Sequence, residues 1–429
     1  MMNVATKEEV KQWLKENKDR GIQLLQQFVQ ARSTQGNEKT VQELVIKELE
    51  QMGLEVDVWE PDGKELAGNP YFASSRSEFS GSPNVVGVLK GTGSGRSIIL
   101  NGHVDVVPEG DLEKWDLAPY SGQIVDGRMY GRGTTDMKGG NVSLLLAMQA
   151  IQALGFRLKG DIIFQSVVEE ESGGAGTLAA ILRGYKADAA LIPEPTNMKI
   201  FPKQQGSMWF RIHVKGQSAH GGTRYEGVSA IEKSMTVVNH ILQLEKTRNE
   251  RVTDPLYKNI PIPFPINMGK IYGGDWPSSV ADLVIIEGRM GVSPEETMDE
   301  AKREMEKWVK SLKVLDPWFE EHPPQLEWFG ARWLPGAIDM EHDLMKLLID
   351  KYKDLLNEEP VIEASPWGTD GGLLTGVGDT PSIVFGPGVT EMAHFSNEYI
   401  ELDKIFEVAE IITLTLLEWC EISDRTNNK

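Results

Sequence analysis

The chain of 429 residues carries 44 lysines and arginines against 64 aspartates and glutamates, a net charge of −20 at neutral pH. A surface this acidic excludes nucleic acid and anionic membrane as partners, because both need a basic face. Apolar residues make up 40% and charged residues 25%, an ordinary globular composition with length for two or three domains.

The one cysteine, Cys420, forbids an intrachain disulfide and argues against a zinc–thiolate centre. No apolar run reaches the roughly 18 residues of a membrane span. Residues 1–24 have a charged helical pattern without the features of a secretory signal, so the expected location is cytoplasmic.

Taken in order, residues 7–31 and 40–52 show helical spacing of apolar residues, and 54–59 alternate as a strand. Residues 61–83, rich in Gly, Pro and Ser, read as a long loop. Residues 84–89 are a strand. The run Gly91-Thr92-Gly93-Ser94-Gly95 leads into another strand and not a helix, so it reads as a hairpin turn and not a phosphate cradle. Strands follow at 97–101, 161–168 and 187–192, with helices at 139–154 and 178–182 between them. This alternation predicts an α/β domain: a mostly parallel sheet sandwiched by helices.

Near residue 203 the pattern changes to strand 208–215, helix 229–248, strands 266–272 and 280–289, helix 295–312 and strand 325–331. The order β-α-β-β-α-β is that of a ferredoxin-like α+β unit. Residues 203–333 are therefore expected to form an inserted domain between the two parts of the first, 1–202 and 334–429. The second part holds a helix at 341–356, a strand at 360–363, a glycine loop at 368–372, a strand at 382–385, and a last helix at 402–420. The tail 424–429 is expected to be disordered.

His103, Glu170, Glu171, Glu194 and His394 each fall just after a predicted strand, and Asp136 lies in the glycine-rich loop 131–140 before a predicted helix. In an open parallel sheet, sites form at the carboxyl ends of the strands. Imidazole and carboxylate together suit zinc, cobalt or manganese. Two metals about 3.5–4 Å apart need a bridging group. Asp136 is assigned that bridge, with His103 and Glu194 completing one site, and Glu171 and His394 the other. Asp105, two residues beyond His103 on an extended chain, is placed to accept a hydrogen bond from the imidazole nitrogen that binds no metal. Glu170 points away from Glu171 and can carry a proton from an attacking water to a leaving amine. Glu169 is read as a local hydrogen-bonding or solvated residue. His220, in Gly216-Gln217-Ser218-Ala219-His220-Gly221-Gly222, lies in the inserted domain and could serve as an oxyanion donor. His213, His240, His322 and His342 lack such context and read as structural. The chain has neither a Gly-x-Ser-x-Gly elbow nor a His-Glu-x-x-His helix.

These motifs resemble the co-catalytic zinc amidohydrolase and peptidase family that includes acetylornithine deacetylase, succinyl-diaminopimelate desuccinylase, aminoacylase-1 and bacterial glutamate carboxypeptidase. The resemblance is carried by Gly102-His103-Val104-Asp105-Val106-Val107-Pro108, Tyr130-Gly131-Arg132-Gly133 through Asp136-Met137-Lys138-Gly139, Glu170-Glu171, Glu194-Pro195-Thr196, and His394 with Glu398. It implies two divalent ions, Glu170 as general acid/base, Asp105 behind His103, and a homodimer built through the inserted domain. It also implies that His220 enters the partner's active site, that Asn267 and Arg289 bind substrate oxygens, and that the loop 368–372, with Gly371 and Gly372, lines the pocket. A cis peptide is implied at Asp136–Met137, and Glu169 stands where many members have aspartate.

The implied reaction is hydrolysis of an N-acyl amino acid or related amide, as in acetylornithine deacetylase. A formylaminopyrimidine deformylase of thiamin salvage and a metallo-dipeptidase or carboxypeptidase are the alternatives. Residues 61–83, Trp276 and Trp367 are candidates for shaping substrate choice. A non-catalytic binding protein on the same scaffold is the reading from a different class. The complete ligand and acid/base set speaks against it.

Overall fold

The computed structural model describes residues 4–74 and 76–425. The chain divides into two compact units. One comprises Met1–Lys203, Gly336–Ser365 and Thr369–Lys429, and the other Gln204–Pro335 with Pro366–Gly368.

The first unit is built on a six-stranded sheet. Its strands are β1 (Glu55–Trp59), β2 (Asn84–Leu89), β3 (Ile98–His103), β4 (Ile162–Val167), β5 (Ala190–Ile192) and β6 (Ser382–Val384), in the order β1-β2-β4-β3-β5-β6. The pairings β4–β3, β3–β5 and β5–β6 are parallel, and β1–β2 and β2–β4 are antiparallel. Helices α1 (Val4–Glu16), α2 (Lys18–Gln30), α3 (Lys39–Gln51), α4 (Gly139–Ala153), α5 (Ala175–Leu182), α6 (Asp343–Leu356) and α7 (Leu402–Trp419) accompany it.

β3 and β4 are buried at every residue, which is why each opens on an apolar triplet, Ile98–Leu100 and Ile162–Phe164, and does not alternate. All but the last two residues of α4 are buried as well, and its sequence correspondingly lacks a polar face. α4 packs beside α7, whose inward residues Ile405, Val408, Ile412 and Leu416 join the same core. Gly140 permits the close approach of α4 to the end of β5, since a Cβ there would lie 2.0 Å from the Pro193 carbonyl oxygen.

Several expectations are corrected. The single helix expected over 7–31 is two, broken at Asn17, whose side-chain amide donates to the Trp13 carbonyl (2.8 Å). The run 91–95 is not a hairpin turn, because β4 lies between β2 and β3. It packs on the turn before β4, with Thr92 and Gly93 donating to the Leu158 and Lys159 carbonyls. The strand expected at 360–363 is reduced to one bridge, Ile200 to Ile362. The loop 61–83 holds a short helix, Gly63–Ala67, capped by Asp62. Asp424 and Arg425, expected to be disordered, end a strand Ile422–Arg425 that pairs with Phe156–Leu158. Residues 426–429 lie outside the described residues.

The second unit contains an antiparallel sheet of strands Ile266–Gly273, Leu283–Val292, Gly206–Lys215 and Gln325–Trp333, in that order. Helices Ala230–Asn249 and Met298–Lys310 pack on it around Phe210, Ile212, Val237, Ile241, Ile286 and Met305. Alternating burial along Gly206–Lys215 is what made this strand legible. Helix Met298–Lys310 begins with a capping box between Thr297 and Glu300.

Candidate metal centre

The site is assembled at strand ends within the first unit. β3 ends on His103, and β4 is followed after Val168 by Glu169, Glu170 and Glu171. β5 is followed by Pro193 and Glu194. Asp136 sits in the irregular turn Thr134–Lys138 that leads into α4, and His394 in the loop between β6 and strand Tyr399–Glu401. The Asp136–Met137 peptide is cis. Glu169 and His394 have positive φ angles of 67° and 66°. Neither is glycine, and such strain gathers where side chains must be aimed.

Asp136 is the centre of the cluster. Its Oδ1 lies 3.2 Å from His103 Nε2, and its Oδ2 lies 3.2 Å from His394 Nε2. Glu194 Oε1 is 3.6 Å from the same His103 nitrogen, and Glu171 Oε2 is 3.0 Å from that of His394. Two triads therefore share one carboxylate, the grouping expected from the sequence. Glu170 joins His103 and Glu194, the three offering donor atoms within 4.8 Å of one another. His103, Glu170 and Glu194 are buried, while the side chain of His394 is 53% exposed.

The electrostatics follow from how closely these groups are crowded. Burial, with the Asp370, Glu194 and Glu171 charges against the opposing pull of His103, holds Glu170 well above the usual carboxylate range. Burial pushes Glu194 up to about 7. Burial works to lower the His103 pKa, but Glu194, Asp136 and Asp105 outweigh it and raise it well above normal. Chiefly through Glu171, His394 is pushed up to about 11. These shifts favour the protonated forms of His103, His394, Glu170 and Glu194, the response of carboxylates crowded together. Oxygen and imidazole donors that need positive charge between them suit divalent ions of the zinc, manganese or cobalt kind.

Over residues 99–418 the chain matches the model of Peptidase family M20/M25/M40. It is 32% identical over 98% of its length to N-formyl-4-amino-5-aminomethyl-2-methylpyrimidine deformylase of Halalkalibacterium halodurans, and the match covers 99% of that protein. The chain belongs to the M20/M25/M40 family. It is 28% identical to acetylornithine deacetylase of Edwardsiella ictaluri, over 77% of this chain and 82% of that one. Among solved structures, the dipeptidase Dug1p of Saccharomyces cerevisiae superposes with a TM-score of 0.76 at 14% identity, covering 97% of this chain and 99% of that one. The family membership makes the chain a hydrolase of amide carbon–nitrogen bonds, as its motifs implied.

Two polar hubs position this M20 centre, and neither role was read from the sequence. Glu398 is fully buried, and its carboxylate accepts from the backbone N–H groups of Gly133 (3.0 Å), Thr135 (2.9 Å) and Asp136 (3.2 Å). Arg132 donates to the same carboxylate at 2.6 Å and also to the carbonyls of His394 and Phe395. The pair thus ties the Asp136 turn to the His394 loop. Glu398 had entered only through the family motif. The second hub is Glu169, expected to be local or solvated. It is fully buried and accepts from Ser74 (2.6 Å), Ser172 (2.7 Å), Gln35 (3.1 Å) and Arg76 (2.5 Å). Arg76 also binds the buried Glu38 (2.9 Å), so the loop 61–83 is anchored beneath the glutamate segment.

Asp105 differs from expectation in detail. His103 Nδ1 meets the backbone carbonyl of Asp105 at 2.8 Å, whereas the Asp105 carboxylate lies 3.7 Å away. The Asp105 backbone carbonyl thus takes the place beside the imidazole expected of its side chain. The carboxylate instead accepts from the N–H groups of Glu170 (3.3 Å) and Glu171 (3.1 Å) and so orients the glutamates. Asp370 is a further buried acid whose charge acts on Glu170. It accepts from Thr177 Oγ1 at 2.7 Å and is raised to about 6 by burial. Gly371 and Gly372, next to it, are buried in the first turn of helix Gly371–Gly376.

The remaining expected residues lie in the second unit. His220 is exposed, and its Nδ1 accepts from the Gly222 N–H (3.1 Å). Asn267 and Arg289 face each other as register partners on adjacent strands. Burial lowers the Arg289 pKa, and no ion pair offsets it among the described residues.

Proposed function

We propose that the chain is a dinuclear metal-dependent deformylase acting on an N-formyl aminomethylpyrimidine. The class rests on one observation, the carboxylate of Asp136 shared between the His103–Glu194 and His394–Glu171 pairs. The substrate is favoured by the end-to-end similarity to a formylaminopyrimidine deformylase. Similarity to acetylornithine deacetylase supports an N-acetyl amino acid as the second reading, but over less of the chain.

In this reading His103, Asp136 and Glu194 hold one ion, and Asp136, Glu171 and His394 the other, with zinc the first candidate. Bound there, the ions polarise the formyl carbonyl and make the attacking water more acidic. Glu170 accepts the proton of that water as the carbon–oxygen bond forms. It returns the proton to the nitrogen as the carbon–nitrogen bond breaks, giving formate and a free amine. Glu170 is buried, and its donor atom lies within 4.8 Å of those of His103 and Glu194, close enough to the reacting centre to carry that proton. Arg289 and Asn267 hydrogen-bond the substrate.

His220 acts as an oxyanion donor in the active site of a partner subunit. The dimer is supported by the outer edge of strand Ile266–Gly273, which pairs with no strand among the described residues, and by exposed Ile231, Met235, Leu242 and Ile271 on the second unit. The test of the chemistry is Glu170→Gln. Turnover should fall by roughly 10²–10⁴-fold with metal content unchanged, and near-normal turnover would overturn the assignment.

A further inference from the structure

The turn that carries Glu170 and Glu171 is gripped at both ends by residues from the loop 61–83. Glu169 opens the turn at a φ of 67°, and Gly173 closes it at a φ of 124°. Glu169 has a Cβ, so this left-handed backbone persists only where the surroundings hold it. At the closing end, a Cβ on Gly173 would lie 1.8 Å from the Ala73 carbonyl oxygen, so the two backbones are in direct contact. At the opening end, Ser74 Oγ and Arg76 Nε donate to the two carboxylate oxygens of Glu169, at 2.6 Å and 2.5 Å. Ala73, Ser74 and Arg76 thus bracket Glu170 and Glu171.

Arg76 uses each of its three nitrogens. Besides Glu169, its Nη2 meets Glu38 Oε1 (2.9 Å) and its Nη1 meets Ser82 Oγ (3.0 Å). Ser82 in turn donates to the second oxygen of Glu38 (2.7 Å). Glu38 and Glu169 are both fully buried, and Arg76 is the one cation paired with either among the described residues. Its planar fork serves two acids at once, and without it two buried charges stand unpaired. Glu38, Ser74, Arg76 and Ser82 all precede residues 99–418, the span that matches the family, so the match assigns them no role.

We propose that Arg76 is a positioning residue for the reaction. It acts through Glu169, fixing the turn so that Glu170 stays at the reacting centre and Glu171 reaches His394. The loop 61–83 thereby belongs to the catalytic apparatus. The proposal rests on the acid/base role of Glu170 and the ligand role of Glu171 given above. Arg76 lies behind the turn and not among the ligands, so its loss strikes kcat and the affinity for one ion, and spares KM.

The test compares zinc-saturated Arg76→Met, Arg76→Lys and Glu170→Gln with the unaltered protein in formate release, and follows zinc binding by calorimetry. Arg76→Met should lower kcat roughly 10–100-fold, the range for groups that orient a metal centre. KM should stay within about twofold, and one zinc ion should bind more weakly. Arg76→Lys keeps the charge, and with it the fold, but loses the fork, and should still lose roughly tenfold in kcat. Leu49→Ala, a deletion in the buried core on α3, should lower the melting temperature and leave kcat unchanged. Unaltered kcat in both Arg76 variants while Glu170→Gln is inactive would overturn the proposal alone. Normal turnover in Glu170→Gln would overturn the acid/base role as well. The zinc titration needs no substrate, and unaltered affinity for both ions in the Arg76 variants would also overturn the proposal. So would a loss of kcat in Leu49→Ala equal to that in Arg76→Met.

Discussion

Arg132 and Glu398 show how individual residues hold this centre. Both are buried, and between them they accept from or donate to the turn carrying Asp136 and the loop carrying His394. Removing one partner strands the other charge, a loss of about 3–5 kcal/mol. Arg132→Met should therefore lower unfolding stability by that amount in denaturant titration and reduce the retained metal. A variant with wild-type stability and metal content would show that the pair does not position the site. Protons supply a second prediction. Neighbouring carboxylates hold His103 well above its normal pKa and push His394 up to about 11, which favours the protonated imidazoles before metal binds. Metal requires the neutral rings, so binding must expel protons and weaken as pH falls. Titration calorimetry in buffers of different ionisation enthalpy should report proton release; heats independent of buffer would contradict it.

Among the elements, α4 and β5 determine whether the ligands meet. Gly140 lets α4 lie against Pro193, the residue before Glu194. Gly140→Ala places a Cβ 2.0 Å from a backbone oxygen that cannot swing aside. It should cost about 1–3 kcal/mol or more and lower metal occupancy through Glu194. Unchanged melting and metal content would show that the contact relaxes freely. The strands that carry ligands were legible in the sequence because burial on both faces opens β3 and β4 with the apolar triplets Ile98–Leu100 and Ile162–Phe164. The same local reading could not tell that β4 intervenes between β2 and β3, since sheet order is set by long-range pairing. The short strands Gln123–Val125, Arg128–Tyr130 and Tyr399–Glu401 were missed because three residues give no period to detect. The candidate ligands were readable because each follows a strand end. The hubs at Glu398 and Glu169 and the buried acid Asp370 were not, because nothing local distinguishes a buried glutamate or aspartate from a solvated one.

At the scale of the whole molecule, each unit has its own apolar core, and the expected metal ligands all belong to the first unit while His220, Asn267 and Arg289 belong to the second. The proposed dimer makes a specific demand on mixed assemblies. His220→Ala and Glu170→Gln should each be inactive alone. Mixed after dissociation and reassociation, they should regain activity, because one site of the mixed dimer combines an intact Glu170 with an intact His220 from the partner. Failure to regain activity in a verified mixed dimer would remove the role of His220 across the interface.

The most direct measurement is formate release from N-formyl-4-amino-5-aminomethyl-2-methylpyrimidine by the zinc-loaded protein, with N-acetylornithine run in parallel and a chelator control for each. The account predicts formate release that the chelator abolishes and zinc restores, with N-acetylornithine cleaved poorly. Rapid cleavage of N-acetylornithine alone would contradict the substrate assignment. Turnover of either compound that survives complete removal of metal would contradict the centre built around Asp136.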